Sequence, residues 1–242
     1  MNYFGHVALA SGFSSSPEFL LGSMLPDLAS IIGKPIPQCL SEAIRQGVRF
    51  HLLTDDEFHQ AVPFRVHVES SRRALELLGL RKPQARAVSH VGVELILDAA
   101  LSSVTLHGLA FRTALRVAAP RGVADRLQWT SVSGPDQFEA LRLRLIERST
   151  CRDFFAKERL VDRLVFALSH RPRLRLSSAE QSAVLSWIDG RSAPLGDELV
   201  LLWDQVRERV GVRWQRQSWP DLAQPSLSAI QREQETMKLR QD

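Results

Sequence analysis

Leu40-Ser-Glu-Ala-Ile-Arg-Gln-Gly-Val-Arg-Phe-His51-Leu-Leu-Thr-Asp55-Asp-Glu-Phe-His59-Gln-Ala61 reads as one amphipathic helix, with Ala43, Ile44, Val48 and Leu52 as its apolar stripe. Within it His51, Asp55 and His59 stand at i, i+4 and i+8, so their side chains share one face beside that stripe. Thirty-one residues beyond His59 the spacing recurs in His90, Glu94 and Asp98. All six positions carry side chains that bind protons or metals, and the repetition points to a polar site built between helices. The second triplet lies in a stretch, 88–101, that is otherwise apolar apart from Ser89. A charged group inside such a helix costs several kcal/mol unless it meets a partner, a metal or water.

Upstream, residues 1–10 are apolar around a single His6. Ser16-Pro17 reads as an N-cap followed by proline at the first helical position. The apolar segment 18–25 runs into Pro26-Asp27, which predicts a helix interruption that directs the Asp27 carboxylate from a chain break. Pro63 closes or kinks the 40–61 helix, a further helix over 66–78 ends at Gly79 as C-cap, and Pro83 starts a long helix to about His107. Helices are then expected at about 111–117, 135–147, 153–169, 178–189 and 197–210, with Ser177 and Ser178 opening the fourth of these. No run alternates for long enough to make a sheet. Periodicity is lost from Arg213. The expectation is therefore an all-α chain with one helical domain over 1–212 and an extended or disordered tail over 213–242, in which Trp214 and Trp219 could act as anchors.

Composition excludes more than it assigns. The 242 residues suffice for one large domain with its own core, and two cysteines, Cys39 and Cys151, are too few for a disulfide framework or a thiolate zinc site. That usage fits a reducing compartment, no apolar run spans a bilayer, and the start lacks the pattern of a signal peptide, so the expected location is cytoplasmic. The net charge of +4 is carried by Arg, since Lys occurs only at 34, 82, 157 and 238. A mildly basic surface is the plain reading of it, with some affinity for acidic partners. Arg171-Pro-Arg173-Leu-Arg175 could touch phosphate, but no nucleic-acid module accompanies it, and nucleic acid is not the expected partner.

Six of the seven histidines fall within the first 107 residues, together with Asp27, Asp55, Glu94 and Asp98. Neutral imidazole and carboxylate suit a divalent metal such as Mn, Fe, Zn or Mg. Each residue also has a plainer reading: His6 as a satisfied core histidine, Asp27 as a cap, Asp56 and His59 as solvated surface groups. His67, His107 and His170 have no companions at useful spacing. There is no Gly-rich phosphate loop, no GxSxG elbow, no HExxH, no cysteine with an obvious activating histidine and no adjacent His-Asp pair.

Four local patterns resemble the acyl carrier protein phosphodiesterases, an all-helical family related to the HD-type metal-dependent phosphohydrolases. They are Asn2-Tyr3-x-x-His6-x-x-Leu9-Ala10, Leu20-Leu21-Gly22-x-x-x-x-Asp27, Gly47-Val48-x-x-His51-x-x-x-Asp55 and Ala167-Leu168-Ser169-x-Arg171. The resemblance implies a single-domain helical bundle of the HD-like type. It further implies a divalent cation and hydrolysis of the phosphodiester that attaches phosphopantetheine to a serine of acyl carrier protein, an acidic partner. On that comparison His6, Asp27, His51, His90 and Glu94 are the metal ligands, and Asp55 and His59 are catalytic groups. Asp98 orients a ligand from behind, and Arg171 holds phosphate. The chain departs from the family at Leu52, where the family has Arg, and at His59, where it has Asp. Over His90-Val-Gly-Val-Glu94-Leu95 the family has Asp-x-x-x-Asp-His. Most of these exchanges replace one ligand type with another and shift the site toward nitrogen donors and metals such as Zn or Fe. Two other readings stay open: a zinc phospholipase C-like or nuclease-like metallohydrolase, and a helical binding protein without catalysis.

Overall fold

The computed structural model describes residues 1–117, 126–148, 157–168 and 171–216. Among them the chain forms helices α1 (Tyr3–Ala10), α2 (Pro17–Ile31), α3 (Glu42–Gln60), α4 (Val62–Leu77), α5 (Lys82–Leu101), α6 (Thr105–Arg116), α7 (Gly134–Arg148), α8 (Lys157–Leu168) and α9 (Ser178–Arg216). The all-α expectation holds. The strand content among the described residues is one antiparallel pair, β1 (Gln38–Cys39) with β2 (Leu127–Gln128).

Helices α2 and α3 form the tightest crossing, and two glycines explain it. A Cβ on Gly22 would overlap the Ile44 carbonyl oxygen and lie 2.9 Å from the Gly47 Cα; one on Gly47 would overlap the Phe19 carbonyl and lie 2.7 Å from the Gly22 Cα. Backbone therefore meets backbone, a contact that only glycine permits. This brings Ser23, next to Gly22, and His51, one turn beyond Gly47, face to face. The buried face of α3 is Ile44, Gly47, Val48, His51, Thr54 and Phe58, with Phe50 and Leu53 also inside. Leu52 and Ala43 are only half-buried. The predicted stripe was thus rotated, because the side that α2 and α1 cover is the one carrying His51.

Several boundaries differ from the sequence expectation. Pro26 does not end α2, which continues to Ile31. Proline removes one backbone hydrogen bond, and the burial of Leu25, Leu28 and Ala29 around it keeps the helix intact. The long helix begun at Pro83 stops at Leu101, and α6 leaves at 110°. His107 Nδ1–H donates to the Leu101 carbonyl at 3.0 Å, and the hydroxyls of Ser102 and Ser103 donate to Ala99 and Ala100, so the exposed helix end is satisfied locally. The two helices expected over 178–210 are one, with Pro194 inside it. Its buried positions Val184, Trp187, Ile188, Leu195, Leu199, Leu202, Val206 and Val210 keep a helical spacing straight across the Gly-Pro-Gly stretch. Its start is capped as expected, Ser177 N–H donating to the Glu180 carboxylate and Glu180 N–H to the Ser177 hydroxyl.

α9 also runs past Arg213. Trp214 packs on Phe50 at 5.1 Å and Phe19 at 6.0 Å, and Arg213 pairs with Asp56 and Glu57 on α3. The first residues assigned to the tail are therefore helical; Trp219 and the remainder lie outside the described residues. No single helix among the described residues is long and apolar enough to cross a membrane. α5 and α6 pass together by length and composition, but they are sharply bent, and most of α5 is buried.

Candidate metal centre

The four helices α1, α2, α3 and α5 each deliver one or more polar side chains to one cluster. α1 contributes His6, which is completely buried. Its Nδ1 lies 2.8 Å from the Thr54 hydroxyl oxygen, and that hydroxyl donates to the His51 carbonyl at 2.8 Å. The hydroxyl proton being committed, Thr54 accepts from His6, which places the imidazole proton on Nδ1 and a lone pair on Nε2. His51 repeats the device: Nδ1 lies 2.9 Å from the Ser23 carbonyl, an acceptor only, so Nε2 again carries the lone pair. The two rings stack at 3.8 Å. Burial holds both histidines below their ordinary pKa, that of His51 well below, where His6 adds to the effect. Both are neutral near physiological pH, as ligands must be.

Asp27, next to Pro26 on α2, completes this group. His6, Asp27 and His51 each offer one donor atom, all within 4.8 Å of one another. His6 Nε2 and Asp27 Oδ2 are buried and make no hydrogen bond among the described residues. Burial raises the Asp27 carboxyl well above the usual range, with Asp55 adding to it. Two buried atoms without hydrogen-bond partners, within reach of one another, fit a divalent cation, which would take a lone pair from each, displace the proton that burial favours on Asp27, and remove the cost of leaving them unpaired.

Asp55 joins this group to a second one. Its Oδ1 faces His6 Nε2 at 3.4 Å, and its Oδ2 faces His59 Nδ1 at 3.2 Å. His59 Nε2 in turn lies 2.9 Å from Glu94 Oε1, and His90 Nε2 lies 3.2 Å from the same oxygen. His59, His90 and Glu94 form the second set of donors within 4.8 Å of one another. The Met1 amine lies 3.0 Å from Asp55 Oδ1 and 3.5 Å from Glu94 Oε1. Burial opposes its charge, but Glu94, Asp55 and Asp27 outweigh this and raise it to about 10. Burial likewise opposes the charges of Asp55 and Glu94, yet His59 and the amine hold Asp55 well below the carboxylate range, and the amine and His90 do so for Glu94. His59 is raised to about 9, burial working against Asp55.

No family model matches the chain, and neither the curated proteins nor the solved structures include a match. The site must be judged on its own geometry. Of the residues expected from sequence, His6, Asp27, His51, Asp55, His59, His90 and Glu94 converge. Asp98 sits behind them: it is fully buried, accepts from Gly5 N–H at 3.0 Å and pairs with Arg163 at 2.9 Å. Asp98 thus holds α1, which carries His6, through Gly5 while paired with Arg163. Arg171 is exposed beside the short 3₁₀ turn Pro172–Leu174, and none of the cluster's hydrogen bonds or ion pairs reaches it. Ser169 and His170 lie outside the described residues.

Sequence reading missed Thr54, Ser23, Tyr3 and Arg163. Thr54 had a readable signal, a hydroxyl three residues beyond His51 on the same helical face. Arg163 had none: it reaches Asp98 and the Tyr3 hydroxyl, at 3.1 Å, from α8.

Proposed function

We propose that the chain is a metal-dependent hydrolase of phosphoric diesters, built on a helical bundle of the HD-like type and working in the cytoplasm. The observation that carries the metal is the matched pair of buried imidazoles, His6 and His51. Each is tied through Nδ1 to a protein acceptor, and their Nε2 lone pairs share one pocket with the orphaned Asp27 oxygen. A divalent ion held there supplies Lewis acidity and a water acidic enough to act as nucleophile near neutral pH. The chain's own groups do the rest. Asp55 stands between the two donor sets, where it can orient water or accept its proton.

The phosphodiester part of the reading rests on the sequence patterns around His6, Asp27, His51 and Asp55. These resemble the acyl carrier protein phosphodiesterases, and the net positive charge suits an acidic protein substrate. The multi-zinc phospholipase C-like or nuclease-like alternative is favoured by one observation, the second donor set at His59, His90 and Glu94. Elemental analysis of protein purified without chelator tests the metal, with His51→Ala and Asp27→Ala expected to lose it. Release of phosphopantetheine from holo acyl carrier protein, beside hydrolysis of a bis-aryl phosphodiester, tests the reaction. Full metal content in both variants removes the proposed centre; metal-dependent cleavage of phosphatidylcholine or single-stranded DNA alone favours the alternative.

A further inference from the structure

We propose that His59, His90 and Glu94 form a second cation site, of zinc type, coupled through Asp55 to the site at His6, Asp27 and His51. The inference rests on reading the first group as a metal centre and makes the whole a two-ion centre. Three nitrogens converge on one carboxylate oxygen, Glu94 Oε1: His59 Nε2 at 2.9 Å, His90 Nε2 at 3.2 Å and the Met1 amine at 3.5 Å. The Met1 amine donates its hydrogen bond to Asp55 Oδ1 at 3.0 Å, which leaves the two imidazoles directed at the one Glu94 oxygen. A divalent cation held among these groups would take a lone pair from each imidazole, displacing the proton that His59 otherwise carries, with Glu94 supplying the charge.

The orientation of the donors supports the same assignment. Asp55 Oδ2, 3.2 Å from His59 Nδ1, fixes that ring so that Nε2 points to Glu94. A carboxylate behind an imidazole ligand is the usual support of a metal-bound histidine. The His59 and His90 rings stack at 30° to each other with centroids 5.0 Å apart, and Phe64, itself buried, sits against both at 5.1 and 5.4 Å. Phe64 keeps the rings from swinging. His59 and His90 side chains are about a quarter exposed, at 24% and 26%, so the pocket opens to solvent on one side. Three protein donors leave a coordination position for water or substrate, and a two-imidazole, one-carboxylate set favours zinc or iron over magnesium. The other oxygen of Asp55 faces His6 Nε2, so one carboxylate serves both sites.

The test is zinc stoichiometry, by equilibrium dialysis of chelator-treated full-length protein against Zn²⁺ followed by elemental analysis. The wild type is expected to hold two equivalents, and His90→Gln, altered at a partly exposed position, one. Zinc should raise the thermal midpoint of the wild type in two resolved steps and that of His90→Gln in one, with helical content unchanged. Glu94→Gln gives the same answer from the buried ligand. If wild type and His90→Gln both hold one ion while His51→Ala holds none, the second site is overturned and the first stands. If the single ion is lost in His90→Gln and kept in His51→Ala, the second site is upheld and the first reading fails. Two ions retained in His90→Gln also overturn the proposal.

Discussion

At the residue scale, the proposed metal chemistry depends on groups outside the two donor sets. Thr54 sets the His6 tautomer because its own proton is spent on the His51 carbonyl. Thr54→Val keeps the shape and deletes the acceptor, leaving His6 Nδ1–H buried without its partner. It is expected to lower metal affinity about 10- to 100-fold and stability by about 1–3 kcal/mol, read by metal titration and by urea unfolding. Serine at the same place should restore both. Asp98 offers a pH-dependent test. Burial, against the opposing pull of Arg163, raises its carboxyl from 3.8 to about 6. A carboxyl with a raised folded pKa binds more protons folded than unfolded between those values. Its contribution therefore makes stability fall as pH rises from about 4 to about 6, by about 3 kcal/mol in total, with the full cost present above that window. Asp98→Asn removes this component. The difference in unfolding free energy between wild type and variant should change across pH 4.5 to 6.5 and level off above it; a pH-independent difference would refute the assignment.

At the element scale, the α2–α3 crossing sets where His51 can reach. Gly47→Ala must push Phe19 and Gly22 away, because backbone atoms cannot yield as a flexible side chain does. A cost of about 3 kcal/mol is expected, visible as a lower thermal midpoint. The Ser23 carbonyl should also move from His51 Nδ1, so metal affinity should fall with stability. Alanine at Gly190, inside α9 and where an added Cβ meets nothing within 4 Å, is the matching control; it should leave metal affinity unchanged and raise stability by about 0.5–1 kcal/mol. The bend between α5 and α6 belongs to this scale too. Ser102, Ser103 and Thr105 interrupt the apolar pattern there and favour a helix end, but such residues also occur inside helices, so the bend itself is set by the packing of α6.

At the scale of the whole molecule, α9 spans the bundle, packing against α3, α4, α5 and α8 and closing over the aromatic group of Phe13, Phe19 and Phe50 with Trp214. Trp214→Ala, or a chain ended after residue 212, should therefore lose about 2 kcal/mol or more while leaving the metal uptake proposed for the His6–Asp27–His51 group unchanged. Calorimetry and elemental analysis read the two quantities separately. Arg213, tied to Asp56 and Glu57, adds a surface pairing that should matter little, within about 1 kcal/mol.

The i, i+4 spacing of His and acid on two apolar helices was enough to place His51, Asp55 and His59 on one wall and His90 and Glu94 on another, since helical periodicity is a local property of the chain. The all-helical architecture, the Ser16-Pro17 start and the Gly79 stop are local in the same sense. Packing decided the rest. Only the meeting of α2 and α3 at their glycines could rotate His51 fully inward, and only the proximity of α3 to α5 could divide one list of ligand-type residues into two donor sets joined at Asp55. Arg163 reaches Asp98 across 65 residues of chain, and no spacing rule announces a contact between side chains that far apart in sequence. Tautomers, orphaned lone pairs and the count of sites are properties of neighbours in space, and it is the tertiary structure that chooses those neighbours.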